Sequence, residues 1–324
     1  MVHIEAPFWN PACMNAYILD WDGVLADTSL DFGPIRKRYF NGARVPLVEG
    51  GRGLPPDLRK ALEKDLYDLE MEGAARARPV DGAHELLEWL KKTGIPWAVV
   101  SRNCLDSIRE AASRCSISLP DLLFTRDGGP LKPDPRALLG AARALGAAPG
   151  RCVMIGDFLY DILGARRAGM RAVLVERVEP EWLQWVDASY PTMKEFVDSI
   201  CDPQPLAPWE YLDLAATRGE EWLKKVWKIK IALPETACNV LELALGAASL
   251  GVGAISVPGV PLSLEQWLEA RFLPVSRVDV PLPEVVTELL RERYPQVMVM
   301  EGSQGKILPQ QPQELEPFLE ALVR

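Results

Sequence analysis

The chain has 324 residues, 48% hydrophobic and 25% charged, which suits about two cored domains of roughly 150 residues each and excludes a disordered chain. Thirty-six basic against 45 acidic residues leave a net charge of −9, which argues against a general nucleic-acid partner. No uninterrupted apolar run reaches the roughly 18 residues that a membrane-spanning helix needs, so no membrane partner is expected.

In chain order, Asn15 to Leu19 is a short, largely apolar run that ends at Asp20. From Thr28 to about Pro79 no strong strand is evident. Two helical stretches stand there instead: Ile35 to Phe40, and Asp57 to Met71, where Leu58, Leu62, Leu66 and Leu69 recur at helical spacing. Between them Glu49-Gly50-Gly51-Arg52-Gly53 reads as a glycine-rich loop. A small helical insertion directly after the first strand is well placed to lie over the carboxyl ends of the strands.

Asp81 can cap a helix with Leu86, Leu87 and Leu90 on one face, closed by Gly94. Ile95 to Val100 then ends at Ser101, and Leu122 to Thr125 is a shorter run. Pro135 suits the first turn of a helix through Ala144, Val153 to Ile155 ends at Gly156, Leu159 to Ala168 ends at Gly169, and Ala172 to Val175 follows. Strand and helix units in alternation, with near-continuous apolar strands, predict a doubly wound parallel α/β sheet covered on both faces.

A proline-rich stretch, Asp202-Pro203-Gln204-Pro205 onward to Pro208, divides a first domain (1–202, with the insertion at about 28–79) from a second (203–324). In the second, Trp227, Ile229 and Ile231 alternate with lysines, predicting a strand with one wet face. A helix from about Thr236 to Leu250, a strand near Ala254 to Val257, a helix near Leu264 to Phe272 and a strand near Val275 to Val280 come next. Pro283 to Arg293 reads as a helix, Val297 to Met300 as a strand and Glu314 to Val323 as a terminal helix. This is a smaller α/β domain without a chemical motif.

Six cysteines form no CxxC pair, and the only histidines are His3 and His84, so a structural zinc site has little to draw on. The opening residues MVHIEAPFWNPAC lack the basic-then-apolar layout of a signal peptide, and a cytoplasmic location is expected.

The informative residues are carboxylates at strand ends. Asp20 and Asp22 flank Trp21 after the first strand, and in an extended segment residues i and i+2 face the same way. Gly156-Asp157 ends a later strand, and Asp161, four residues on, can turn back to the same pocket. Four aspartates in one pocket repel, each pair at 4 Å costing about 4 kcal/mol at an effective dielectric near 20. A hard divalent cation relieves this, and oxygen-only ligands favour Mg²⁺. Mg²⁺ with Lys132 makes a cationic spot suited to phosphate, whose other oxygens Ser101 and backbone N–H groups can hold. Ser101 also reads as a helix N-cap, Asn103 as a residue lining the site, and Arg52 as a solvated arginine of the glycine-rich loop, with the alternative that it reaches over the site and touches substrate.

Asp20-Trp21-Asp22-Gly23-Val24, Ser101, Lys132-Pro133-Asp134-Pro135 and Gly156-Asp157…Asp161, in that order, resemble the haloacid dehalogenase-like (HAD) hydrolase superfamily, in the branch with a small helical cap after the first strand. The resemblance spans about residues 12–200 and does not reach the second domain. It implies Asp20 as nucleophile, Asp22 as general acid/base that binds Mg²⁺ only through its backbone carbonyl, and Asp157 as a further metal ligand. Asp161 would stand behind the metal ligands or reach the metal through water, while Ser101 and Lys132 hold the phosphoryl group. Asp22 favours phosphoryl transfer over dehalogenation. The implied activity is a Mg²⁺-dependent phosphatase on a small phosphorylated metabolite. The alternatives are a phosphomutase on a sugar phosphate, a binding protein with a retired core, and a bifunctional chain whose second domain adds an activity or a partner.

Overall fold

A computed structural model describes residues 4–270, 273–291 and 293–323; His3 and Phe272, named above, lie outside them. The chain forms two compact units. One comprises Asn15–Ala165 and Ala172–Ser199, and the other the described residues up to Met14, Arg166–Arg171 and those from Ile200 onward.

The first unit carries β1 (Ala16–Leu19), β2 (Ala26–Asp27), α1 (Gly33–Phe40), α2 (Leu47–Gly51), α3 (Pro56–Ala74), β3 (Arg78–Pro79), α4 (Ala83–Thr93), β4 (Trp97–Val100), α5 (Leu105–Cys115), β5 (Leu123–Phe124), α6 (Pro135–Ala144), β6 (Cys152–Gly156), α7 (Leu159–Ala168), β7 (Arg171–Val175), β8 (Ala188–Tyr190) and α8 (Met193–Cys201). Six strands make one sheet in the order β5-β4-β1-β6-β7-β8. β1 runs parallel to β4 on one side and to β6 on the other. The chain builds outward from β1 in one direction and then returns to build in the other, so the sheet is doubly wound, as predicted. Its inner strands are apolar because both faces are covered: every residue of β1, β6 and β7 is buried.

The reversal of strand order between β1 and β6 opens a crevice at the carboxyl ends of the strands, where such sheets bind ligands. Register aligns three strand ends there. Leu19 lies opposite Val99 and Ile155, so Asp20 follows β1 beside the ends of the strands that lead to Ser101 and Asp157.

β2 and β3 pair antiparallel at the base of the insertion. Within the insertion Ile35, Leu47, Leu62 and Leu66 form a small core with Phe32, Tyr39, Phe40, Val48, Leu54 and Leu69 around it. Leu58, expected on the apolar stripe, is 49% exposed. Three helices stand where two were predicted, because the glycine-rich segment winds into α2. Gly51 there lets Leu62 approach to where a Cβ would lie at 2.8 Å.

Asp81 does not cap α4. The N-cap is Gly82 at φ +95° with no side-chain cap, and a Cβ on it would lie 2.9 Å from the backbone N of Lys194. The expected closure at Gly94 is present, with φ +69°. His84 is exposed in the first turn of α4.

The second unit contains α9 (Leu212–Arg218), α10 (Glu220–Trp227), β9 (Lys230–Ala232), α11 (Val240–Ser249), β10 (Ala254–Val257), α12 (Leu264–Ala270), α13 (Leu282–Arg291), β11 (Met298–Glu301), β12 (Lys306–Ile307) and α14 (Leu315–Val323). Its four strands are all parallel, in the order β11-β10-β9-β12. Two expectations are corrected. Trp227 ends α10 rather than starting a strand. Val275 to Val280 is not a strand: Val275–Arg277 is a single 3-10 turn after Pro274, and Asp279 sits at φ +66°, a left-handed conformation that breaks extended pairing. Among the described residues no helix is long and apolar enough to cross a membrane.

Candidate active site

Three of the four expected carboxylates meet at the crevice. Carboxylate oxygens of Asp20, Asp157 and Asp161 all lie within 4.8 Å of one another. Glycines permit that approach. Gly23, at φ +75°, faces Asp157 so closely that a Cβ would lie 2.6 Å from its Cγ, and Gly156 is packed as tightly on the Asp161 side chain.

Lys132, 1% exposed, lies between two of the carboxylates: its Nζ is 2.8 Å from Asp20 Oδ1 and 2.6 Å from Asp161 Oδ1. Burial opposes its charge, but the two carboxylates outweigh that and raise its pKa. Asp161, in the first turn of α7, also accepts a hydrogen bond from the Phe158 N–H at 3.1 Å, which holds its side chain back towards the strand end. Burial, followed by the Asp20 charge, pushes the Asp161 carboxyl up to about 6. Burial and then the charges of Asp161 and Asp20 push Asp157 up to about 7.

Asp22 is held apart from the three. Its Oδ1 accepts from the Thr28 N–H at 3.0 Å and from the Thr28 hydroxyl. Burial is the leading cause that pushes its carboxyl up to about 6, against those two hydrogen bonds. A carboxyl raised to about 6 exchanges its proton closer to neutrality than an ordinary one, which suits general acid/base work.

Ser101 is not a helix N-cap, since α5 starts later with Cys104 in that position. The Ser101 N–H donates to the Phe124 carbonyl at 2.9 Å, and its Oγ accepts from the Asn103 N–H at 3.2 Å. Asn103 is buried and its carbonyl accepts from the Arg126 N–H. Arg52 is exposed at the end of α2, in an open groove of the cap with Asp57, Arg59, Lys60 and Glu63. It is not brought to the carboxylates.

One cap residue that reaches the core, beside Ser101, is Glu49. It clamps Arg102 with a two-pronged pair, Nη1 to Oε1 at 3.0 Å and Nη2 to Oε2 at 2.7 Å. Arg102 also donates to the Lys132 carbonyl and lies over the Tyr160 ring at 4.8 Å. Arg177, just past β7, approaches Asp157 at 3.3 Å and rests on Phe158 and Trp182. Sequence reasoning missed all three. Arg102 and Arg177 had a usable signal, since each follows a strand end on the same side of the sheet as the aspartates. Glu49 had none, because 53 residues separate it from Arg102.

The fit to a cation follows from the donor set. Three clustered carboxylates meet one buried ammonium, paired with Asp20 and Asp161, and one guanidinium, paired with Asp157, so negative charge stays in excess among hard oxygen donors, which a divalent metal matches.

A family model for haloacid dehalogenase-like hydrolase matches residues 14–169. The chain is 28% identical over 227 residues to an N-acetylmuramic acid 6-phosphate phosphatase of Pseudomonas aeruginosa, covering 58% of this chain and 97% of that protein. It is 32% identical over 182 residues to a phosphoglycolate phosphatase of Caulobacter vibrioides, covering 48% of this chain and 76% of that protein. The crystal structure of a hydrolase from Pseudomonas syringae aligns with a TM-score of 0.50 at 22% identity, over 58% of this chain and 99% of that one, a likeness of fold. With its acidic motifs converging at the sheet's switch point and relatives of this kind matched over most of their length, the chain belongs to the haloacid dehalogenase-like hydrolase family.

Proposed function

We propose that the enzyme is a Mg²⁺-dependent phosphatase that hydrolyses a small phosphorylated metabolite through an aspartyl-phosphate. The observation that carries this reading is the meeting of Asp20, Asp157 and Asp161, with the buried Lys132 ammonium between Asp20 and Asp161. The phosphatase names of the relatives support it.

Asp20, Asp157 and the backbone carbonyl of Asp22 would hold Mg²⁺, with Asp161 behind them. A bound Mg²⁺ neutralises charge on the phosphoryl oxygens during transfer. Lys132 steadies the Asp20 carboxylate and, with Ser101, orients the phosphoryl group for in-line attack. A carboxylate oxygen of Asp20 forms a bond to phosphorus as the bond to the leaving oxygen breaks, and Asp22 gives that oxygen its proton. In the second step Asp22 takes a proton from a water that attacks phosphorus. The bond to Asp20 then breaks, releasing inorganic phosphate and restoring both carboxyls. Thr28 fixes the Asp22 side chain for both transfers.

The test is a panel of phosphorylated metabolites assayed with Mg²⁺ and a free-phosphate readout, on the full chain and on Asp20→Asn. The expected result is phosphate release that falls by at least about 10³-fold in the variant, a loss typical of removing a covalent nucleophile. Undiminished turnover by Asp20→Asn would exclude the covalent route, and an isomerised sugar phosphate without free phosphate would make the enzyme a mutase.

A further inference from the structure

The guanidinium of Arg102 is fixed by the core and completed by the cap. Arg102 directly follows Ser101, its Nη1 donates to the carbonyl of Lys132, and its face rests on Tyr160, the neighbour of Asp161. All three anchors belong to the segments that carry the proposed phosphate site. They hold the fork of N–H donors in place before any ligand arrives, which lowers the entropy cost of using it. The remaining edge of the fork is filled by a planar carboxylate, that of Glu49, through two hydrogen bonds of 3.0 and 2.7 Å. Arg102 is 19% and Glu49 34% exposed at the side chain, so the pair is open to exchange rather than sealed in a core.

Glu49 comes from α2, a helix of only five residues that includes Gly50 and Gly51. Leu47 and Val48, not Glu49, are the side chains of α2 that pack in the cap's own core. The cap therefore offers to the core a carboxylate that the cap does not need for its packing. The core in turn presents a receptor with carboxylate geometry next to the phosphate site.

We infer that Arg102 reads a carboxylate on the leaving group of the substrate, and that Glu49 occupies this position in the free enzyme. The inference rests on the phosphatase reading and names its substrate class: a small phosphomonoester that also bears a carboxylate. Substrate and Glu49 compete for one fork. Binding of the right ester releases the cap residue, and an ester without a carboxylate leaves Glu49 paired and gains nothing from Arg102. Such discrimination appears as a ratio of kcat/KM values between matched substrates.

Phosphoglycolate and ethyl phosphate form the matched pair, since one carries a carboxylate where the other has a methyl group. For the full chain with Mg²⁺, the kcat/KM ratio should favour phosphoglycolate by at least about tenfold, the scale of hydrogen bonds to a charged group. In Arg102→Gln the ratio should collapse towards one. In Glu49→Gln it should rise above that of the unaltered chain, because the internal competitor is weakened. A pair serving only to latch the cap would change both esters alike in both variants, and an unchanged ratio would overturn the inference. Should Arg102→Gln fail to fold, Glu49→Gln decides alone, its fold checked by thermal unfolding. Release of phosphate from other phosphomonoesters without any preference for the carboxylated one would sink the inference and spare the phosphatase reading. Release from none would sink both.

Discussion

At Asp22, Asp157 and Asp161 burial raises the carboxyls from an ordinary 3.8 to about 6, 7 and 6. Without a cation the folded state keeps protons there that the unfolded chain has released. The stability these groups allow is therefore fully present below about pH 4 and is lost as pH rises through 6 and 7. Magnesium reverses the balance, since its ligands must be deprotonated, and it stabilises the fold by mass action. The metal-free protein should lose thermal stability between pH 5 and 8, and the upward shift of the melting temperature on adding Mg²⁺ should be larger at pH 8 than at pH 5. Thermal scans with EDTA and with Mg²⁺ at both values check this. Equal shifts at the two pH values, or none, would detach the carboxylates from the metal. The same residues were legible in the sequence because each follows an apolar strand run, and all strand ends of a parallel sheet face one crevice. Glu49 stayed hidden because its partner Arg102, 53 residues away, is met only through the seating of the cap.

The seating of the cap is carried largely by α3 against α5. Glu70, 3% exposed, accepts from the Cys104 N–H at 2.7 Å and pairs with Arg126 at 2.9 Å, while the Tyr67 hydroxyl donates to Asp106 at 3.2 Å. Burial outweighs Arg126 and leaves the Glu70 carboxyl above its ordinary range, so the charge itself contributes less than the hydrogen bonds. Glu70→Ala leaves a buried N–H and a half-buried guanidinium without their acceptor and should cost about 3 kcal/mol. Glu70→Gln keeps an acceptor for Cys104 and should cost about 1 kcal/mol. Urea unfolding midpoints separate the two, and equal losses would mean that the charge dominates. Periodicity disclosed α3 through Leu62 and Leu66 but could not show α2, where glycines mask a helix that tertiary packing selects. It also misread Val275 to Val280, where three β-branched valines suggested a strand in a segment that Pro274 and the left-handed Asp279 turn aside.

The second unit is built on a parallel sheet whose apolar core takes in Phe8 from the start of the chain. Trp9 pairs with Leu206 through both backbone groups, at 3.1 and 2.8 Å, and Asn10 donates to the Gln204 carbonyl at 2.9 Å. The linker prolines marked a boundary near Asp202, but nothing in the composition of the first residues showed that they pack with the far end of the chain. A cut at 202 therefore strands them. Phe8 and Trp9 are 5% and 6% exposed in the intact protein, and each would return much of its large apolar side chain to water at about 25 cal/mol per Å². The fragment 1–202 should consequently bind more of a hydrophobic dye such as ANS, and aggregate sooner, than the fragment 15–202, although both lack the second unit. Both fragments lack the second unit alike, so the difference between them isolates the first fourteen residues. Indistinguishable dye binding would show that these residues find another place to pack. Phosphate release by the better-behaved fragment then decides the part of the second unit: kinetics equal to the full chain would leave it outside the chemistry, and a raised KM with unchanged kcat would assign it to substrate binding.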